Sequence, residues 1–296
     1  MNHFTEVMMC TEREHDKEGY RPAGRPASNC ALSFGVCPWL FVTVLLQLSS
    51  LSAEPIPVRY SEGTTHGFLA LRTMEGKLLA TGDLTEVIHG FRVVARAIFS
   101  FKDGSVDDET TVYSQHGTFR LISDHHIQKG PSFPHPTNVS INASTGQVTV
   151  HYKNKDQERV DTEHMDLPPD LANGLLLTIL KNISPDTKET KVSYVGGAPK
   201  PRLVHLSITP ASPVTFTVAG ARHKAIRYTV KVEIGGVAGL VAPLVGKKPA
   251  DAQIWVVNEG APAFVRADEA LYMEGPIWSI QMTGPEWGKT AYSGHK

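Results

Sequence analysis

The densest group of potential metal ligands in this chain is His125-His126 with His135 nearby. A zinc site needs three or four ligands converging at about 2.0–2.1 Å. Neighbouring residues of a strand point to opposite faces, so one strand cannot offer both His125 and His126 to one ion. A second, looser group is His151 and His164 with Asp161, Glu163 and Asp166. Neither group has ligand spacing of the H-E-x-x-H kind, so both are read as polar-face histidines. Asp107-Asp108-Glu109 offers clustered oxygens of the sort calcium prefers. The spacing of a calcium-binding helix–loop–helix is absent, and a solvated acidic turn is expected there. No metal site, cofactor or catalytic residue is assigned.

Other reactive patterns fail on context. No G-x-S-x-G occurs, which removes the usual serine-hydrolase turn. Gly284 to Thr290 is one residue short of a phosphate loop, and no helix follows it. Gly235-Gly-Val-Ala-Gly239 lacks dinucleotide spacing. Paired-carboxylate glycosidase chemistry depends on a separation that a sequence does not contain. Asn138, Asn142 and Asn182 each begin a glycosylation sequon, which matters only in a host that uses them.

The elements that would position these groups are mostly strands. From Gly67 onward, short β-prone runs alternate with turn residues every 8–12 positions. In Phe91 to Phe101 the odd positions are all apolar, while Arg92, Arg96 and Ser100 occupy even ones. Ala225 to Ile234 repeats the pattern, with Ile226, Tyr228, Val230, Val232 and Ile234 alternating with polar residues. Such alternation places one face in a core and the other in water. Pro131 to Pro136 is a rigid, exposed connection. Leu171 to Asn182 is the one good helix, with Asp170 as its cap and a wide apolar face. The fold class is therefore all-β (β-rich α+β): a large curved antiparallel sheet, or half-open barrel, with one main helix.

Ahead of this domain, Cys30 to Ala53 carries no charge and follows Arg21 and Arg25. Its densest apolar run, Trp39 to Leu48, is too short for a bilayer span of about 20 residues. It reads as the core of an export signal closed by Leu51-Ser52-Ala53, with an uncleaved anchor as the alternative. Residues 1–53 are then leader and signal peptide, and 54–296 form a single β-rich domain. That domain would be periplasmic or in the cell envelope. Cys10, Cys30 and Cys37 all precede residue 54, which excludes thiolate catalysis and thiolate metal sites from the domain. Lys plus Arg number 29 and Asp plus Glu number 30. That balance gives no electrostatic footprint for nucleic acid.

This order of elements resembles that of exported bacterial proteins of a domain-of-unknown-function family. The residues that carry the resemblance are Tyr60 with Gly67, the strand from Phe91, Ala252-Gln-Ile-Trp-Val-Val-Asn-Glu259, and Pro262-Ala-Phe-Val-Arg266. The likeness spans about residues 58–285. The family is similar in architecture to the LolA/LolB lipoprotein carriers, a half-open antiparallel barrel around a helix. The chain lacks a lipobox, and the resemblance implies no individual functional residue.

A bent sheet that fails to close leaves a concave apolar face. The expected function is that of a non-enzymatic exported protein binding an apolar small molecule or lipid. Its candidate lining residues are Phe91, Val93, Phe99, Phe101, Leu176, Tyr228, Val230 and Trp255, all of which serve equally well as plain core. The apolar stretch 235–248 is a hairpin folded over the core, a lid on an apolar cavity, or a tip that touches a membrane surface through Lys247 and Lys248. The rival functions are an envelope assembly protein pairing through strand edges, and a hydrolase of envelope polymers.

Overall fold

A computed structural model describes residues 54–154, 157–184, 186–197, 200–218, 221–233, 249–258 and 260–283. The chain divides into two units, Met1–Ser50 and Leu51–Lys296, and every described residue belongs to the second. The proposed signal and the stretches 235–248 and 284–290 lie outside the described residues.

The first half of the domain is a meander: β1 (Thr65–Thr73), β2 (Leu78–His89), β3 (Arg92–Phe101), β4 (Val106–His116), β5 (Thr118–Lys129), β6 (Thr137–Asn142), β7 (Gln147–Asn154) and β8 (Gln157–His164). A short helix, α1 (Leu176–Asn182), follows. Seven more strands complete the domain: β9 (Thr190–Gly196), β10 (Arg202–Pro210), β11 (Val214–Val218), β12 (Ala221–Glu233), β13 (Ala252–Val257), β14 (Ala263–Glu269) and β15 (Trp278–Thr283). All fifteen strands form one antiparallel sheet, ordered β8-β7-β6-β5-β4-β3-β2-β1-β15-β14-β13-β12-β10-β9, with β11 also paired to β12. The first and last strands, β1 and β15, meet in its middle, Phe68 opposite Thr283. The sheet is large and curved, and it does not close into a barrel.

Contacts between strands far apart in the sheet show the curvature. The Gln128 side chain of β5 donates to the carbonyl of Leu271, just beyond β14, at 2.7 Å. Gly197, after β9, lies so close to Val139 of β6 that a Cβ there would sit 2.6 Å from a valine methyl. Phe101 of β3 contacts both Phe133 and Trp278, and Phe133 contacts Tyr272. Phe133 is thus buried, although the proline-rich connection that carries it was expected to be exposed. One continuous core fills the concave face, including Leu71, Val93, Tyr113, Ile141, Leu180, Tyr228 and Ile254. A second, small cluster of Ala225, Val257 and Val265 lies apart from it, flanked by Trp255.

The helix begins later than the sequence predicts, and Asp170 does not cap it. The Asp170 carboxylate accepts the Ser193 N–H of β9 at 2.8 Å. Asn173 exchanges two hydrogen bonds with the Val195 backbone, at 2.8 and 3.0 Å. Both residues thereby tie the segment before the helix to edge strand β9, where an N-cap would have turned inward. Gly174 then adopts φ +62°, a left-handed turn that favours glycine, before α1 starts. At its end Asn182 accepts the N–H groups of Arg59 and Tyr60, both at 2.8 Å, and donates to the Thr178 carbonyl. Asn182 is 1% exposed, so the folded domain withholds this sequon from modification.

The two sheet edges differ. β9 is bridged by Leu171 along its free side. β8 is charged and almost wholly exposed, with β7 as its only strand partner among the described residues. No described helix is long and apolar enough to cross a membrane.

Candidate functional site

The curled sheet and α1 enclose a hollow of about 540 Å³. Its floor follows from strand register. Thr65, Glu86, Ala95, Thr111 and Asp124 lie side by side across β1 to β5. Gly67, Leu84, Ala97, Glu109 and His126 form the next row. Leu69, Gly82, Phe99, Asp107 and Gln128 form the third. Small side chains at Ala95 and Ala97 leave the middle unfilled, while Met282 packs over Gly67, its Sδ 2.8 Å from where a Cβ would sit. At Gly82, a Cβ would lie 2.6 Å from the Phe99 ring, so the glycine lets that ring lie flat along the floor. Leu176 and Leu177 of α1 face this floor, and Ile254, Phe264, Ala267, Ile280 and Met282 supply the far wall.

One end of the hollow is acidic. Asp107-Asp108-Glu109 is no turn. It lies within β4, whose inward row is Asp107, Glu109, Thr111, Tyr113 and Gln115. Asp108 points outward to Arg96, which holds it by two bonds of 2.8 and 2.6 Å. Two β-bulges bring further titratable groups to this end. On β5, Tyr113 faces Leu121 while Val112 faces Ser123, so Ile122 is one residue too many. The extra residue reverses the inward parity from Phe119 and Leu121 to Asp124, His126 and Gln128. On β14, Val265 is the extra residue between the Trp255–Arg266 and Val256–Phe264 pairs. Beyond it, Ala267 and Glu269 turn inward.

His126 donates or accepts through Nε2 at 2.8 Å from the Asp107 carboxylate, and Gln128 donates to the other Asp107 oxygen at 2.9 Å. Thr111 donates to Asp124 at 2.8 Å. At the opposite side of the hollow, Lys181 pairs with Glu62, and Thr65 donates to Glu86 at 3.0 Å. His125, on the outer face, contacts Asn138 instead. His151 and His164 lie on exposed positions of β7 and β8. No group of three or more described side chains is arranged to hold a metal ion.

The electrostatics follow from burial. Desolvation pushes Glu269 up to about 7, helped by the charges of Asp107 and Asp268. Desolvation and then the Glu109 charge push Asp124 up to about 7, against the Thr111 hydrogen bond. Glu109 is raised by desolvation first, with His126 opposing and Asp107 and Glu269 adding to the rise. Burial alone would depress His126. The Asp107 hydrogen bond and the charges of Glu109, Asp107 and Asp124 outweigh it and carry the imidazole up to about 9. Glu86 is raised by desolvation, with Lys181 opposing. Desolvation also raises the Tyr194 phenol, on β9, which feels Glu109, Asp124, Glu269 and Asp107.

Of the residues the sequence singles out as lining, the structure places Phe99 and Leu176 on the hollow. Val93, Phe101, Tyr228 and Val230 are packed within the concave core without reaching it. Phe91 is 62% exposed in the β2–β3 turn, beside His116, because its apolar parity runs past the end of the strand. Trp255 alternates with the inward Ile254 and Val256, so it lies on the outer face under the Arg266 guanidinium, 5.1 Å from the ring centroid. The acidic end of the hollow is the feature that patterning missed. Its only trace in the sequence is the polar period-two row Asp107, Glu109, Thr111, Tyr113 and Gln115.

A comparison with protein-family models finds no match to this chain, and a comparison with curated proteins finds none either.

Proposed function

We propose that this protein is a non-enzymatic binding protein that shelters an apolar molecule, of the lipid class, inside the curled sheet. The observation that carries this reading is the hollow of about 540 Å³, whose middle is left open by Ala95 and Ala97 and walled by leucine, isoleucine and phenylalanine side chains. That volume lies within the range of small-molecule sites, roughly 300–1,000 Å³. A void lined by apolar groups loses packing contacts when empty, and an apolar guest restores them. The uncharged stretch 30–53 supports export, and so a place in the periplasm or envelope. The open sheet supports the architectural likeness to the LolA/LolB carriers.

The test is native mass spectrometry of the exported protein, followed by delipidation and titration with a neutral naphthyl fluorophore. The expected result is a bound mass on the protein as isolated and saturable fluorescence after delipidation. A protein that carries no adduct and leaves the fluorophore dark overturns the reading.

A further inference from the structure

The hollow is not uniformly apolar, and its charges do not cancel. Asp107 is matched by His126, and Glu62 by Lys181. Glu86, Glu109 and Glu269 also line it, and none of the three forms an ion pair among the described residues. Glu109 and Glu269 accept no hydrogen bond there either. Both keep some surface, and that surface belongs to the hollow. Deeply placed carboxyls are normally satisfied by donors or cations, because leaving them unpaired is costly. Any partner for these two carboxyls lies in the space they face.

We propose that the hollow selects an amphiphile with a cationic amine head, its ammonium seated between Glu109 and Glu269 and its chain over Ala95, Ala97 and Phe99. This rests on the binding function proposed above and names the head group that function requires. A carboxylate or phosphate head would meet like charge at the same place and is rejected. The His126 charge, shared between Asp107 and Glu109, offsets only part of the carboxyl charge at this end.

Protonation gives the site a pH dependence of definite sign. The titratable groups lining this end are Asp107 and Glu109 from β4, His126 from β5, Glu269 from β14 and Tyr194 from β9, with Asp124 buried behind Thr111; Glu62, Glu86 and Lys181 line the opposite side. Glu269 and Asp124 titrate near 7, so they are largely ionised at pH 8 and largely neutral at pH 5.5. An alkylammonium stays charged over this whole range, as lysine does with its pKa of about 10.4. Amine affinity therefore rises from pH 5.5 to 8 while that of an uncharged homologue stays level.

The experiment is calorimetric titration of the delipidated full chain with decylamine, decanol and decanoate at pH 8 and pH 5.5. The expected order at pH 8 is decylamine tightest, at least about tenfold over decanol, with decanoate weakest, as the coupling of close charge pairs implies. The decylamine-to-decanol ratio shrinks at pH 5.5. In the double variant Glu109→Gln with Glu269→Gln the ratio collapses toward one. Near-ultraviolet circular dichroism of the variant checks its fold, and the three-probe comparison on the unaltered protein stands without it. Equal binding of decylamine and decanol at pH 8 overturns the head-group assignment and leaves the binding function standing. Binding of none of the three probes overturns both.

Discussion

Glu109 of β4 and Glu269 of β14 face the same hollow, although β3, β2, β1 and β15 separate their strands in the sheet. Only strong curvature brings them together, and the charge of Glu269 helps to hold the Glu109 carboxyl above its ordinary range. The fold thus concentrates carboxyls where burial penalises their ionisation, a cost to stability at neutral pH.

That cost is measurable through Glu269. Its carboxyl titrates at about 7 in the folded protein and near 4.3 when unfolded. The folded state binds the proton more tightly, so this contribution to stability is fully present below about pH 4 and lost as pH rises through 7. Glu269→Gln should match the parent near pH 4 and exceed it at pH 8 by on the order of 1–3 kcal/mol. Urea midpoints at the two pH values check this, and equal midpoints at pH 8 would contradict the burial argument.

Gly174 lies hard against β4 and β5 of the sheet. A Cβ there would lie 1.7 Å from Thr111 Oγ1 and 2.9 Å from the Asp124 carboxylate, at φ +62°. Gly174→Ala should cost about 2–4 kcal/mol, combining left-handed strain with displacement of a buried hydrogen bond. Adding Thr111→Ala should recover part of that loss but not the backbone strain. A thermal or urea series on the two variants measures both parts.

Asn182 links the chain entering the domain to the end of α1. Asn182→Ala removes the acceptor from two backbone N–H groups and the donor to a third site. The expected loss is about 2–4 kcal/mol, with faster proteolysis across residues 54–64. Unchanged cleavage there would show that the segment's bonds to Gly117, Phe119 and Gln115 are enough to anchor it.

Ala97 sits on the floor between Leu84 and Glu109. Ala97→Phe projects a ring into open space, where the usual overpacking cost of about 1–3 kcal/mol is largely avoided. The variant should fold with near-parent stability yet fail to take up the neutral fluorophore. Full uptake would place the guest elsewhere.

The sheet was legible in the sequence wherever one face is dry and the other wet. Val93, Phe99 and Phe101 mark β3, and Ile226, Tyr228 and Val230 mark β12, because their alternation reports burial directly. β8 gave no such signal, since Gln157 to His164 is wet on both faces. The first half of β4 was hidden for the opposite reason. Its inward row is polar, so Asp107 and Glu109 read as solvated when they are enclosed. The side that His126 and Glu269 occupy depends on the extra residues Ile122 and Val265, and a slip of one residue leaves no mark in local composition. Tertiary pairing decided the helix start too, because Asp170 found Ser193 across 23 residues in place of its own first turn.

The unequal finish of the sheet's two margins limits how copies of this protein can join. The segment 170–173 occupies part of the outer side of β9, taking up the main-chain groups of Ser193 and Val195. The β8 margin is open and is guarded by Glu158, Arg159, Asp161 and Glu163, and the short β11, paired only to β12 among the described residues, is a second open margin. Main-chain association through β8 is held off by this charge guard, and high salt, by weakening the guard, is the condition that promotes it.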